Sequence, residues 1–178
     1  WHGSANVLAY FPEDDDNYLS PIVVMRHDRL HLEARWNYEE KETGSLFAGW
    51  VFTAGSTVEF EAVPMLGAIA GDLDGVAPGC TFSLAWKELF VYSENEIVFD
   101  LSDREGSYFY NWSEITWEPL DWLGAGMVTQ HTRVYESDRE IQRGAMARVT
   151  KGRFSSAVYW FNPGSTDDFI VVSAALDF

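Results

Sequence analysis

Apolar and polar residues alternate along most of the chain with a period of two, the period of a β-strand whose two faces meet different surroundings. The segment from Leu30 to Glu39 is the clearest case, and Thr57 to Val63 and Ile170 to Phe178 repeat it. On the clearest strand, one face carries Leu30, Leu32, Ala34, Trp36 and Tyr38, and the other carries His31, Glu33, Arg35, Asn37 and Glu39. The pattern therefore predicts strands, and helical periodicity is scarce.

Seven further segments show the same alternation less regularly. They lie at about 18–26, 44–54, 81–101, 107–118, 124–136, 142–151 and 153–162, with a break expected near Ser93-Glu94-Asn95. Gly67 to Gly79 is expected to be a loop, and Ser83 to Phe90 and Ser137 to Ala147 are the best helix candidates. Strands joined by short connections predict an all-β fold, an antiparallel meander closed into a small barrel of about 8–10 strands, because closure protects the sheet edges.

The composition is strongly acidic, with 28 Asp and Glu against 12 Lys and Arg and a formal net charge of −16. A nucleic-acid partner is excluded, because neutralising phosphates requires clustered Lys and Arg. Disorder is excluded as well, because 47% of the residues are apolar. We expect one barrel domain over 1–178, with 1–17 as an acidic N-terminal extension around Glu13 to Asp16. Cys80 is the single cysteine, so no internal disulfide can form.

Alternation alone does not say whether the apolar face points into a core or towards lipid, because soluble and membrane β-proteins share the same period. Aromatic residues crowd the ends of several strands, as at Trp50, Trp117 and Trp160. Such positions are typical of the aromatic girdles at a membrane interface, although aromatic clusters also serve sugar binding and ordinary cores. The charges inside the clearest strand, Glu33 and Arg35, favour an ion-paired interior.

The last strand ends in Phe178 and carries Ile170, Val172, Ala174 and Leu176 at every second position before it. In this the sequence resembles bacterial outer-membrane β-barrel proteins, whose last strand typically ends in an aromatic residue preceded by alternating apolar residues. The resemblance implies a location in the bacterial outer membrane, contact with membrane lipid, and recognition of the last strand by the barrel-assembly machinery. It covers about the last ten residues specifically and the other strands only generically.

Two segments, Leu46 to Phe52 and Ser155 to Phe161, are apolar on both faces, which suits a buried two-sided sheet better than a wall between lipid and lumen. They keep a second hypothesis open: a soluble, periplasmic or secreted barrel of the calycin type. Such a barrel would bind a small apolar ligand, with Phe47, Val51 and Met65 among the residues that line its site.

The densest group of potential metal ligands is His27, Asp28, His31 and Glu33. Zinc takes nitrogen, oxygen or sulfur ligands in a tetrahedral arrangement, so His27, His31 and Glu33 are weak candidates for it. No HExxH, CxxC or calcium-loop motif accompanies them. A polar strand face paired with neighbouring strands is the favoured interpretation, and neither a metal nor a cofactor is expected.

Charged residues inside other predicted strands suggest a charge-paired lumen. The candidates for its ion pairs are Glu33, Arg35, Glu59, Glu61, Glu114, Arg133 and Arg148. A lipid-modifying enzyme is a third hypothesis, with Glu114 and His131 as a weak acid–base couple and Ser113 or Ser45 as the nucleophile. No GxSxG motif marks a nucleophile, so catalysis is not favoured.

The leading hypothesis is thus a small outer-membrane barrel with a charge-paired interior, serving a structural or anchoring role or the passage of very small solutes. Because 12 basic residues cannot pair with 28 acidic ones, some strand carboxylates must face water, meet a cation or have a raised pKa.

Overall fold

The computed structural model describes residues 1–12, 16–103, 106–134 and 140–178, with only the backbone of 133, 134 and 140. Thirteen β-strands make up this part of the chain. They are β1 (His2–Pro12), β2 (Tyr18–His27), β3 (Leu30–Trp36), β4 (Thr43–Trp50), β5 (Phe52–Ala54), β6 (Glu59–Gly71), β7 (Gly75–Trp86), β8 (Leu89–Asp100), β9 (Tyr108–Leu120), β10 (Leu123–Val134), β11 (Glu140–Lys151), β12 (Phe154–Phe161) and β13 (Phe169–Asp177).

The strands form one antiparallel sheet that closes on itself. β1 pairs with both β2 and β13, and β4 pairs with β6, so the described sheet runs once around a barrel. β5 continues β4 along β6, because Phe52 faces Ala62 in the register in which Gly49 faces Met65. The interruption lies opposite Pro64, which has no N–H group for the ladder. The wall thus has twelve strands with β5 as an extension, and the all-β closed meander expected from the sequence is confirmed.

Twelve strands exceed the expected eight to ten because the sequence interpretation missed turns. Segment 81–101 is the second half of β7 followed by β8, and the chain reverses at Lys87, whose φ is 54°. The helix candidate Ser83 to Phe90 is therefore wrong, because this hairpin occupies it. The helix candidate over 137–147 is likewise wrong from residue 140 onwards, where β11 begins, and 137–139 lie outside the described residues.

The loop expected from Gly67 to Gly79 is also mostly strand, because β6 continues to Gly71 and β7 begins at Gly75. Its glycine content has a packing reason. The ring of Phe47 on the neighbouring strand lies against Gly67, where a Cβ atom would clash with it. Gly67 thus serves close packing inside the barrel rather than a flexible connection.

The N-terminal segment is part of the wall. Residues 2–12 of the expected 1–17 extension form β1, which is hydrogen-bonded on both sides. Of the acidic run, Glu13 to Asp15 lie outside the described residues. His2, at the start of β1, and Asp177, at the end of β13, lie at the same rim of the barrel, which we call the terminal rim.

Connections at the terminal rim are short, for example the turn at Gly152 (φ 62°) between β11 and β12. Several at the opposite rim, such as 37–42 and 162–168, are longer, although 72–74 is short. Outer-membrane barrels combine short turns on one side with longer loops on the other. No helix in the described part of the chain is long and apolar enough to cross a bilayer.

The apolar face of the wall points outwards. Each strand exposes at least one large apolar side chain, including Leu46 at 68% and Leu66 at 60% of full exposure. Exposed aromatic residues stand near both rims, with Trp36 at one and Trp50, Trp86 and Trp117 at the other. Polar residues of β3 such as His31 and Arg35 are buried inside. This is the arrangement of a membrane barrel, and the soluble alternative is overturned because a soluble protein would hide the apolar face.

Tyr38 departs from the alternation. The sequence places Tyr38 on the apolar face of the strand predicted from Leu30 to Glu39. In the structure, β3 ends at Trp36, and Asn37 adopts a left-handed conformation with φ 54°. The chain therefore turns inwards, and Tyr38 packs inside the barrel against Tyr110.

Part of the interior is apolar. One cluster joins β1 to strands β9–β13, and its residues are Leu8, Tyr10, Trp112, Val128, Met146, Ala157, Tyr159, Phe161 and Val171. A second contains Phe47 and Met65. These clusters explain why Leu46 to Phe52 and Ser155 to Phe161 are apolar on both faces: one face meets lipid and the other packs inside.

Candidate functional site: the barrel interior

Alternation along β3 and β8 directs a row of charged side chains into the barrel. His31, Glu33 and Arg35 point inwards from β3, while Glu94 and Glu96 point inwards from β8. The two strands are not neighbours in the sheet, so these contacts cross the barrel interior.

Arg35 is the centre of this cluster. Its Nε lies 2.7 Å from Glu33 Oε1, and its Nη1 lies 3.0 Å from Glu94 Oε1, 3.0 Å from Glu96 Oε2 and 3.2 Å from Glu39 Oε1. The Arg35 side chain is only 1% exposed. One guanidinium thus faces four carboxylates in a buried setting, and we call these five residues the Arg35 cluster.

Two aromatic rings hold the guanidinium in place. The Arg35 Cζ atom lies 4.5 Å from the centre of the Tyr38 ring and 4.3 Å from the centre of the Phe47 ring. Cations are attracted to ring faces at such distances, and the planar guanidinium also stacks on them. Gly67 leaves the space that the Phe47 ring occupies.

The connection 37–42 folds into the lumen and supplies Tyr38 and Glu39 to this site. Ser45 donates to the Glu39 carboxylate at 2.8 Å, and Tyr108 donates its hydroxyl to the Glu39 carbonyl oxygen at 2.6 Å. The Tyr38 hydroxyl donates to Glu94 Oε2 at 3.1 Å. Burial, together with the nearby Glu94 carboxylate, raises the pKa of Tyr38 well above its ordinary value, so Tyr38 acts as a neutral donor.

A second charged group lies on β9 and β11. Arg148 Nη2 lies 2.6 Å from Glu114 Oε2, and its Nη1 lies 3.5 Å from Glu118 Oε1. The indole N–H of Trp112 donates to Glu114 Oε1 at 2.9 Å. The Glu114 carboxylate is therefore held by a charged and a neutral donor.

A third group lies near the terminal rim. Arg26 Nη1 lies 2.9 Å from Glu61 Oε1, and Arg26 Nε donates to His31 Nδ1 at 3.2 Å. The other ring nitrogen of His31 lies 2.9 Å from Glu33 Oε2. Because Nδ1 accepts a hydrogen bond, Nε2 carries the proton that points to Glu33.

The space left inside forms separate cavities. The largest, of about 600 Å³, opens towards the terminal rim and is lined by Arg26, His31, Glu33, Glu94, Glu114 and Arg148 among others. Cavities of about 310 Å³ and 220 Å³ lie towards the opposite rim. Tyr38 lines all three cavities. Its side chain therefore stands where the lumen is divided.

The structure brings most of the expected ion-pair residues together in pairs or clusters. Glu33 contacts Arg35, Glu114 contacts Arg148, and Glu61 contacts an arginine that had not been singled out. Glu59 is exposed at the start of β6, next to the terminal rim. Arg133 belongs to β10, and its side chain lies outside the described residues.

The weak metal candidates do not assemble. His27 is half-exposed beside Asp28 and the ring of Trp1, while His31 and Glu33 pair inside the barrel. In the described part of the chain, no three metal-ligating side chains converge.

Glu114 and His131 do not form an acid–base couple. Glu114 faces Val128 across the β9–β10 ladder and points inwards, as Val128 does. His131 lies three residues further along β10, on the outward face, where its ring contacts Phe109. The enzyme hypothesis is wrong on this point because an odd separation on a strand puts two side chains on opposite faces. Ser45 is also engaged, through its bond to Glu39.

Sequence reasoning missed Glu94, Glu96, Arg26 and Tyr38 as parts of the interior, and it placed Glu39 on the polar face of the strand without naming it as an ion-pair candidate. The break expected at Ser93-Glu94-Asn95 hides Glu94 and the adjacent Glu96, because Ser93 and Asn95 are polar as well. Their period-two spacing was the signal that could have assigned them to the inner face. Nothing local indicates that the connection 37–42 folds inwards.

Solved structures share this fold. The KdgM porin superposes with a TM-score of 0.70 at 13% identity, over 98% of this chain and 99% of that one. The KdgM porin in complex with disordered oligogalacturonate gives 0.69 at 13% identity, with the same coverage. OccK5 (OpdH) of Pseudomonas aeruginosa gives 0.52 at 10% identity, over 97% of this chain and 63% of that one. No family model and no curated protein matches the sequence.

The fold is thus that of a bacterial outer-membrane β-barrel, as the last strand suggested from the sequence. An apolar outer wall around a charged interior places the chain in the bacterial outer membrane, because only lipid suits the apolar residues that the wall exposes.

Proposed function

We propose that the protein is a narrow outer-membrane channel that passes small solutes and favours cations over anions. The observation that carries this proposal is the excess of carboxylates inside the barrel. Three arginines, Arg26, Arg35 and Arg148, form ion pairs with seven carboxylates: Glu33, Glu39, Glu61, Glu94, Glu96, Glu114 and Glu118. Fixed charges of one sign in a narrow pore attract solutes of the opposite sign.

The dimensions of the barrel favour the passage of small solutes. Barrels of about eight strands are filled by side chains, whereas those of about 16–18 strands leave an open aqueous channel. Twelve strands lie between these limits, and the cavities are divided at Tyr38. Large substrates would meet the Arg35 cluster and the apolar clusters before crossing.

The charge of the interior also indicates which sign of solute the barrel favours. One of the similar structures holds oligogalacturonate, which is an anion. The interior described here has more carboxylates than arginines, so we expect a ligand of that sign to be disfavoured. Ammonium-bearing solutes and metal cations fit the charge better.

The test is conductance of the purified barrel in a planar lipid bilayer with a gradient of potassium chloride. We expect a reversal potential of the sign that a cation-selective pore gives. The largest cavity offers a matched pair of variants, because Glu61 and Arg26 face each other there and are both partly exposed. Glu61→Gln should lower the cation preference, and Arg26→Gln should raise it.

Glu88→Gln is the control, because Glu88 is exposed in the turn after Lys87 and should leave selectivity unchanged. Anion selectivity, or equal effects of the two lumen variants, would contradict the charge argument. Absence of conductance together with failure of proteoliposomes to swell in small sugars and amino acids would reject passage altogether. That outcome would favour the structural or anchoring role.

We also propose that β13 is the strand recognised by the barrel-assembly machinery. Support comes from its apolar outward row, which includes Ile170 and Leu176, and from Phe178, which exchanges backbone hydrogen bonds with Gly3 at 2.8 Å. Phe178→Ala should slow membrane insertion in cells while leaving the barrel able to fold in detergent. Equal insertion rates of this variant and the parent would count against it.

A further inference from the structure

The outer wall of the barrel has a polar area near mid-height on β8 and β9. On β8, Ser93 and Asn95 point outwards between Val91 and Ile97. On β9, Asn111 and Ser113 do the same between Phe109 and Ile115. We call Ser93, Asn95, Asn111 and Ser113 the wall patch.

The four side chains of the wall patch form one hydrogen-bonded network. Ser93 Oγ and Ser113 Oγ lie 2.9 Å apart, and Asn111 Nδ2 donates to Asn95 Oδ1 at 3.0 Å. Asn95 Nδ2 donates to Ser93 Oγ at 3.2 Å, and Ser113 donates to Asn111 Oδ1 at 3.1 Å. The network uses one of the two N–H groups of Asn95 and leaves the other for a partner.

The wall patch differs from the outer faces of β1–β4 and β6. Outward positions between the strand ends on β1–β4 and β6 carry only Gly, Ala, Val, Leu, Met and Pro apart from aromatic residues. The polar area also continues onto β10, where Thr129 and His131 share the outward face. Polar side chains at membrane depth are unfavourable against lipid, and they are used to join membrane segments to one another.

We propose that the wall patch is an interface through which two copies of this chain associate side by side in the membrane. Ser93 is buried beneath the patch, whereas Asn95, Asn111 and Ser113 are partly exposed. Asn and Ser side chains both donate and accept, so these three can meet the same three residues of a second copy across a two-fold axis. The four residues carry no formal charge, which lets two chains of net charge −16 approach at this place without direct repulsion. A partner at this depth must itself lie in the membrane, and a second barrel satisfies that condition.

The test is the oligomeric state of the whole chain in phosphatidylcholine vesicles, followed by energy transfer between labelled copies over a range of protein-to-lipid ratios. We expect a dimer in the parent. Asn95→Leu/Asn111→Leu should weaken dimerisation by about tenfold or more, since hydrogen bonds between membrane segments contribute roughly 1–2 kcal/mol. Ala5→Leu/Ala9→Leu is the matched control, because both alanines point outwards from β1 on the far side of the barrel.

Cys80 supplies an independent readout, because it points outwards beside Asn95 and is the only cysteine. A short bismaleimide should cross-link two parent chains through Cys80. It should not cross-link Cys80→Ser/Val23→Cys, in which the thiol stands on the opposite wall. A heat-dependent shift in gel mobility verifies that each variant folds, and Asn95→Leu alone replaces the double variant if that fails.

Parent protein that stays monomeric at every protein-to-lipid ratio would overturn the proposal. So would a dimer that is unaffected by the Asn95→Leu or double variant, or one that cross-links from position 23 but not from Cys80. A monomer in vesicles that cross-links through Cys80 to a different protein in native membranes would overturn the assignment of a second copy as the partner.

Discussion

Replacement of Arg35 by Met tests the electrostatic logic of the interior. The side chain is 1% exposed, and its Nε and Nη1 atoms lie within 3.2 Å of oxygens of four carboxylates. Met has an unbranched apolar side chain of similar length but no charge. The variant therefore leaves Glu33, Glu39, Glu94 and Glu96 facing one another without a cation.

The expected loss is large. Removing one partner of a buried ion pair costs about 3–5 kcal/mol, because the other charge stays buried without compensation. Loss of the stacking on Tyr38 and Phe47 adds to this cost. Glu33 and Glu94 line the largest cavity, where they can turn towards water and recover part of the loss. We therefore expect Arg35→Met to lower the free energy of unfolding by about 3–5 kcal/mol.

The assay is urea unfolding of the barrel in lipid vesicles, followed by tryptophan fluorescence and by the fraction that keeps the mobility of the folded form on a gel. Arg26→Met is the matched control, because Arg26 contacts one carboxylate and is 27% exposed. We expect it to lose about 1 kcal/mol or less. Acidification should reduce the loss in Arg35→Met, because protonated carboxyl groups do not repel one another.

A loss below about 1 kcal/mol for Arg35→Met, or one no larger than that of Arg26→Met, would refute the reasoning. It would mean that the four carboxylates are already solvated or neutral, and that the guanidinium is not what holds them together.

Two further predictions concern the lumen and the wall. Tyr38→Ala removes the side chain that divides the cavities, so single-channel conductance should rise; an unchanged conductance would place the narrowest point elsewhere. Leu46→Arg puts a charge on the lipid face and should destabilise the barrel by about 2–4 kcal/mol in urea titrations, whereas Ser83→Arg, which faces the largest cavity, should cost clearly less. Equal losses at the two positions would contradict the assignment of the faces.

The fold class follows from the sequence alone, because a strand's period of two is a local property that every segment carries in its own residues. The alternation from Leu30 to Trp36 separates lipid-facing from lumen-facing side chains correctly, and Glu33 and Arg35 are inside as expected. It also indicated the last strand and the crowding of aromatic residues near the rims.

The same local pattern fails where a segment is polar or apolar on both faces. The pattern predicts a break at Ser93-Glu94-Asn95, but the strand continues there. Glu94 and Glu96 point into the lumen, while Ser93 and Asn95 bond to β9 on the outer wall, so both faces are polar. On β12 both faces are apolar, so alternation cannot tell them apart. One face packs in the apolar interior cluster, and the other is exposed on the outer wall.

Which charges meet inside the barrel depends on how the strands are arranged in space. Arg35 and Glu96 are 61 positions apart in the chain, and their contact depends on closure of the wall between β4 and β6. One left-handed residue, Asn37, turns Tyr38 into the lumen against the alternation that precedes it. The alternation of side chains between the two faces of a strand depends on residues adjacent in sequence. Which side chains meet in the lumen depends on the number and register of the strands that close around it.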